Sequence, residues 1–130
     1  MSETEKITIN LGPVDLGQID LLVQEGFYSN RTDFIRMAIR VRLATHADAV
    51  RHTVARKTLA LGVQHYTRRD LEALRAAGQH VQINVLGLAS IAEDVTPELA
   101  LVTIESVAVL GALRASPAVK AALAGRLRAP

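Results

Sequence analysis

One alternating segment near the start of the chain, with two helical segments after it and no second strand close by, constrains the fold most. Apolar and polar residues alternate strictly in this segment, as Lys6, Ile7, Thr8, Ile9, Asn10 and Leu11. The alternation predicts a half-buried strand with one apolar face and one polar face. A lone strand leaves its backbone edge unpaired, so a second copy of the chain is expected to add its own strand antiparallel to the first.

Two helices are predicted to follow this strand. Gly12 and Pro13 end the strand, because proline cannot donate a hydrogen bond to a β-ladder. Apolar residues then recur at helical spacing as far as Gly26, a residue typical of a helix end. Ser29 or Asn30 can cap a second helix, in which the apolar residues again recur at helical spacing. A strand-helix-helix unit of about 45 residues is too small to be stable alone, which again requires a second copy.

The region after the second helix is predicted to be helical. Residues 41–61 are rich in alanine and contain neither Gly nor Pro, which favours one long helix or two in line. Thr67 and Asp70 stand at the spacing of a capping box, and Gly78 follows them, which predicts a further helix. We therefore expect a helical linker over residues 49–78.

The C-terminal region, residues 79–130, is predicted to be a small α/β module. Val-Leu-Gly occurs at residues 85–87 and again at 109–111, and a helix start of the Ser/Thr-Pro type follows each copy. A single strand-helix unit of this size cannot bury its own apolar face, so the module is expected to pair with its counterpart in another subunit. The predicted fold class is α+β, with a strand and two helices over residues 1–48, the helical linker, and this weak strand-helix repeat.

Charge and composition narrow the function. Residues 1–30 contain one basic and five acidic residues, whereas residues 31–75 contain ten basic and four acidic ones. The middle of the chain is therefore suited to a polyanionic partner. The absence of cysteine excludes disulfides, thiolate metal sites and cysteine nucleophiles. Neither a signal peptide nor a membrane span is evident, and a cytoplasmic protein without membrane contact is expected.

The strand, the glycine turn and the start of the second helix resemble a known family when they are taken together. The segment 6–11, the turn at Gly26 and the segment 28–40, YSNRTDFIRMAIR, are similar to ribbon-helix-helix DNA-binding proteins of the Arc/MetJ/CopG type, over roughly residues 5–48. The resemblance implies an intertwined homodimer that inserts a two-stranded β-ribbon into the major groove of double-stranded DNA. It also implies a transcriptional regulator, and a repressor is the expected kind.

The resemblance assigns roles to two sets of residues, and their chemistry suits those roles. The polar strand residues would contact base edges, since their side chains match donors and acceptors in the major groove: Lys6, Thr8 and Asn10. The residues at the start of the second helix would contact phosphates, where free N–H groups, the helix dipole and a cation attract anions: Ser29, Asn30 and Arg31. Arg36 and Arg40 are predicted to lie on a solvated helix surface.

Other functions have less support in the sequence. A metal site is not indicated by the four histidines, because His46 and His52 are six residues apart and no His-rich cluster occurs near the C-terminus. No catalytic constellation and no cofactor motif is present, so an enzyme is not expected. Two alternatives stay open: an antitoxin that represses its own operon, and an assembly protein that does not bind DNA. The patterned C-terminal region argues against the first, because antitoxin tails are usually polar and disordered.

Overall fold

The computed structural model describes residues 4–130, which form two compact units. The N-terminal unit comprises Thr4–His52 and the C-terminal unit comprises Thr53–Pro130. The predicted first domain begins at residue 1, and its first three residues lie outside the described part of the chain. Helices and strands are both present, so the chain is of the mixed α+β class that the sequence predicts.

The N-terminal unit contains two complete helices and the start of a third. Helix α1 spans Pro13–Gln24, α2 spans Arg31–Thr45, and α3 spans Ala47–Arg56. Proline stands in the first turn of α1, where its missing N–H breaks no helical hydrogen bond. Gly26 follows α1 with φ 85°, a left-handed conformation that is common where helices end. The two helices predicted for this region are therefore present.

Residues 6–11 lie in neither a helix nor a strand in the described single chain. A β-strand is defined by backbone hydrogen bonds to a neighbour, and the three strands found in residues 4–130 all belong to the C-terminal unit. The strand predicted at residues 6–11 is thus not formed here. The ribbon of an intertwined dimer stays a prediction, since a second copy would have to supply the missing partner strand.

The region predicted as a helical linker, residues 49–78, contains a strand. Helix α3 ends at Arg56, Thr58 adopts φ 54°, and strand β1 spans Ala60–Tyr66. The prediction that the helix extends to residue 61 is therefore wrong. Strand pairing overrides the local preference of alanine for helix here.

The C-terminal unit is a three-stranded parallel sheet with a helix after each strand. The strands β1, β2 (Val81–Ile91) and β3 (Ile104–Arg114) lie in sequence order. The helices are α4 (Arg68–Ala76), α5 (Pro97–Thr103) and α6 (Pro117–Leu123), and a 3-10 turn, Ala124–Arg126, follows the last of them. The strand-helix repeat therefore occurs three times, not twice as the sequence predicts.

Each of these three helices begins at a polar cap. Thr67 and Asp70 form the predicted capping box at α4, with each side chain accepting from the backbone N–H of the other residue. The Thr96 and Ser116 hydroxyls each accept a backbone N–H three residues later, both at 3.2 Å. Such caps satisfy N–H groups that a helix leaves unpaired in its first turn. The predicted helix starts in the C-terminal unit are therefore confirmed.

The core of the C-terminal unit lies between the sheet and its helices. The strands contribute alternate residues that are at most 3% exposed, Ile83, Val85, Ala89, Ile91, Ile104 and Val107. The helices contribute Leu71, Leu99, Ala100, Val119 and Leu123. Burying one large aliphatic side chain contributes about 1.5–3 kcal/mol. The helix-facing side of the sheet is therefore fully covered.

A glycine stands at the same level of each strand. Gly62 pairs with Gly87, and Gly87 pairs with Gly111, with φ values of 121°, 136° and 117°. A Cβ on Gly87 would overlap the carbonyl oxygen of Gly62, and one on Gly111 would overlap that of Gly87. We call these three residues the glycine ladder. Strand β2 continues past it to Ile91, so the predicted strand end at Gly87 is wrong.

Candidate nucleic-acid interface

The start of α2 is held by a reciprocal pair of side-chain caps. The Asn30 side-chain oxygen accepts from the backbone N–H of Asp33 at 2.8 Å. The Asp33 carboxylate in turn accepts from the backbone N–H of Ser29 at 3.0 Å. Of the two cap residues that the sequence allows, the structure thus uses Asn30. These bonds fix the turn before α2, and with it the direction in which the first N–H groups of the helix point.

Arg31 lies in the first turn of α2, where the sequence predicts a phosphate contact, but its guanidinium group faces α1. It donates from Nε and from one terminal nitrogen to the two carboxylate oxygens of Asp20, at 2.7 and 2.8 Å. These hydrogen bonds lower the pKa of Asp20 below its usual value and raise the pKa of Arg31. Both side chains are about half exposed, so the pair adds little to stability. It does neutralise the charge assigned to phosphate binding.

Two arginines that the sequence interpretation left on a solvated surface lie beside this helix start. A shallow cavity of about 330 Å³ is lined by Ser29, Asn30, Thr32, Asp33, Arg36, Met37 and Arg40. Thr32, Arg36 and Arg40 are four residues apart in sequence and hence lie on one face of α2. This spacing was the signal available in the sequence. We call this cavity the α2 groove; its arginines and the helix dipole both favour an anion.

The three predicted base-contacting residues lie on the segment before α1. Lys6, Thr8 and Asn10 are all exposed. The apolar residues between them are exposed as well: Ile7 by 74%, Ile9 by 54% and Leu11 by 41%. The segment thus carries polar and apolar groups that are all open to solvent in the single chain. Base contact by the polar set stays a prediction.

The N-terminal unit has almost no core of its own. Within residues 4–52, Ile19 is the one buried residue. Tyr28 and Phe34 form a T-shaped ring contact, with centroids 4.9 Å apart. Many other large apolar residues are exposed: Ile7, Ile9, Leu11, Val14, Leu21, Phe27, Met37, Ile39, Val41, Leu43 and Val50. So much exposed apolar surface on so small a unit indicates that another surface covers it.

Metal and membrane sites were sought in the same part of the chain. Among residues 4–130, no three His, Asp or Glu side chains are grouped closely enough to hold a metal ion. No helix in this range is long and apolar enough to cross a membrane. The chemistry that the N-terminal unit offers is therefore an anion-binding groove beside an apolar surface.

Comparison with known proteins gives one match. The model of the Ribbon-Helix-Helix transcriptional regulator family matches residues 2–120. This confirms the resemblance found over residues 5–48 and extends it across most of the C-terminal unit. No curated protein and no solved structure matches the chain.

Proposed function

Because the chain belongs to the ribbon-helix-helix transcriptional regulator family, we propose that it is a sequence-specific DNA-binding repressor that acts as a homodimer in the cytoplasm. Two copies pair their residues 6–11 into an antiparallel β-ribbon, and the ribbon enters the major groove of double-stranded DNA. The observation that carries this proposal is the alternation of exposed polar and apolar residues through that segment. Pairing would turn one side of the ribbon toward DNA and the other toward the helices of the dimer.

The apolar surface of the N-terminal unit supports the dimer. Ile7, Ile9 and Leu11 lie on the same side of an extended segment, because side chains alternate along a strand. In the dimer this side packs on α1 and α2 of both copies, which also carry exposed apolar residues. Each large side chain buried in this way stabilises the dimer by about 1.5–3 kcal/mol. The combined burial supplies the core that a single copy lacks.

Base contacts and phosphate contacts are divided between two parts of the unit. Lys6, Thr8 and Asn10 contact base edges, since Lys donates to guanine and Asn pairs with adenine through two hydrogen bonds. The α2 groove binds a backbone phosphate, with Ser29 and Asn30 at its end and Arg36 and Arg40 along its side. Phosphate contacts fix the register of the protein on DNA without selecting a sequence. Specificity therefore comes from the strand and much of the affinity from α2.

The proposal is tested by selecting bound sequences from a random duplex pool with the full chain at moderate salt. We expect recovery of a short motif that occurs twice, because a two-fold ribbon presents the same three residues in each half. The spacing of the two copies gives the half-site distance. Selection of no motif, together with binding that does not weaken as salt rises, would contradict sequence-specific binding and favour an assembly protein.

Replacing Asn10 with alanine is expected to relax sequence preference without abolishing binding. The loss is about 1–3 kcal/mol of discrimination at one base position in each half-site. Arg36→Ala is the matched comparison, since it should weaken binding to all duplexes alike and reduce the salt dependence by about one ion per site. Fluorescence anisotropy with the selected and a scrambled duplex measures both effects. If both variants bind as wild type does, the ribbon assignment is wrong.

Replacing Asp20 with asparagine is expected to tighten binding to every duplex. The change removes the carboxylate that Arg31 contacts at 2.7 and 2.8 Å, so the guanidinium group becomes available to a phosphate. The plot of log affinity against log salt should steepen by about one unit for each Arg31 that gains a phosphate. Asp48→Asn is the control, because it frees Arg51 from a similar exposed pair at 3.1 Å outside the α2 groove. Equal effects of the two changes would exclude a role for Arg31 at the DNA.

An antitoxin that represses its own operon is the second candidate, since it would use the same DNA-binding unit. The observation that separates the two is the folded C-terminal unit, with three strands and three helices. Antitoxin segments that bind toxins are usually disordered until they meet the toxin. The repressor is therefore the function that we favour.

A further inference from the structure

The face of the sheet that points away from the helices carries a second apolar surface. Side chains alternate along a strand, so the buried residues Ile83, Val85 and Ala89 place Leu86 and Leu88 on the opposite face. The register extends this face across all three strands. Leu61, Leu86 and Leu110 lie in one row, and Val63, Leu88 and Ala112 lie in the next. We call these six residues the outer apolar patch.

The outer apolar patch is open to solvent over much of its area. Leu61 is 69% exposed, Val63 is 51% exposed and Leu110 is 46% exposed. All three belong to the outer strands, whereas Leu88 on the central strand is 9% exposed. Contiguous apolar patches of several hundred Å² are uncommon on free protein surfaces and usually mark interaction sites.

Polar residues border the patch at both ends of the sheet. The row before it contains Gln82 and Ser106, which are paired in register. The row after it contains His65, Ser90 and Arg114, which are also paired. An apolar centre with a polar rim is the usual anatomy of a protein-protein interface. The position of the rim shows that the patch ends within the sheet and does not continue around the unit.

We propose that the outer apolar patch is covered by the same patch of a second copy, so that two sheets pack face to face. Three strands about 4.8 Å apart and about ten residues long present roughly 450 Å² of flat area. Two copies therefore hide about 900 Å² of flat area, and more once side chains interdigitate, which reaches the approximately 1,000 Å² of a specific interface. Leucine, valine and alanine rows pack well across such a sandwich, in which the sheets lie about 10 Å apart.

A second copy fits this patch better than a charged partner does. The six residues are all aliphatic, so the patch offers neither a charge nor a hydrogen-bonding group for a dissimilar partner to recognise. A two-fold arrangement needs nothing more than this self-complementary surface. The inference goes beyond the proposed DNA-binding function and does not depend on it, because it concerns the C-terminal unit alone.

Cross-linking through a single engineered cysteine tests the proposal, since the natural chain has no cysteine. Leu86→Cys places a thiol at the centre of the patch, and Val102→Cys places one on α5, where the side chain is 49% exposed. With a short bis-maleimide and the full chain, we expect Leu86→Cys to form covalent dimers about ten-fold faster than Val102→Cys. Equal rates, or no cross-link in folded Leu86→Cys, would overturn the proposal, and the second result would mean that another part of the chain covers the patch.

A charge in the patch provides a second test that does not need a cysteine. Leu110→Glu should lower the mass found by sedimentation equilibrium or lower the thermal midpoint of the C-terminal unit, because two like charges would meet across the interface. Val102→Glu adds the same charge at a site of similar exposure, 49% against 46%, and should leave both quantities near those of wild type. If Leu110→Glu matches Val102→Glu in both measurements, the patch is not an interface. DNA binding is measured in parallel, so that failure of this inference is distinguished from failure of the proposed function.

Discussion

Gly111→Ala is expected to destabilise the C-terminal unit by about 4 kcal/mol or more, which is among the largest effects of a single substitution. Two costs combine at this position. The backbone has φ 117°, where an L side chain is strained by about 1–3 kcal/mol. The new Cβ would also overlap the carbonyl oxygen of Gly87, and a backbone atom within a parallel sheet cannot move aside without breaking the pairing of β2 and β3. Urea unfolding followed by far-ultraviolet circular dichroism measures the loss.

Two other glycines separate the two costs. Gly62 has φ 121°, but nothing lies within 4 Å of the position that a Cβ would take. Gly62→Ala should therefore show the strain alone, about 1–3 kcal/mol. Gly125 has open space as well and no left-handed backbone, so Gly125→Ala should change stability by no more than about 0.5 kcal/mol. If Gly111→Ala costs no more than Gly62→Ala, close strand contact is not what requires glycine in the ladder.

The glycine ladder also shows why the sequence revealed two repeats and the structure reveals three. Val-Leu-Gly at residues 85–87 and 109–111 is visible as a repeated word. The first copy is Ala60-Leu61-Gly62, in which alanine replaces valine at the end of an alanine-rich stretch. Alanine favours a helix locally, so residues 57–61 were assigned to one. What marks them as a strand is pairing with β2, a contact 25 residues away in sequence that no local pattern contains.

Helix starts were predictable where a polar side chain caps its own helix. Asn30, Thr67, Thr96 and Ser116 each accept the backbone N–H three residues later, a bond that involves only neighbours in sequence. Arg31 is the opposite case. Its position at the start of α2 was evident, but its contact with Asp20 crosses eleven residues, and charge alone did not indicate that a carboxylate of α1 would take it. Part of the candidate phosphate site therefore shifts from Arg31 to Arg36 and Arg40.

Ile9→Lys is expected to abolish both the folding of the N-terminal unit and DNA binding. Ile9 is 54% exposed in the single chain, but in the proposed dimer it lies at the centre of the apolar side of the ribbon. A lysine there buries a charge without a partner, which costs about 3–5 kcal/mol and weakens dimer formation by at least about 100-fold. Gln24→Lys, at the exposed end of α1, adds the same charge outside the ribbon and should be tolerated.

Hydrogen exchange is the measurement that decides this prediction. The outer apolar patch would hold two copies together by itself, so a dimeric mass in Ile9→Lys would not show that the ribbon is intact. Protection of amides in α1 and α2 does report on the ribbon, because the N-terminal unit buries only Ile19 without a partner and a unit with so small a core opens readily. We expect protection in α1 and α2 to be lost while β2 and β3 stay protected. Protected α1 and α2 amides in Ile9→Lys would mean that residues 6–11 do not pair between copies, and the major-groove ribbon would have to be abandoned.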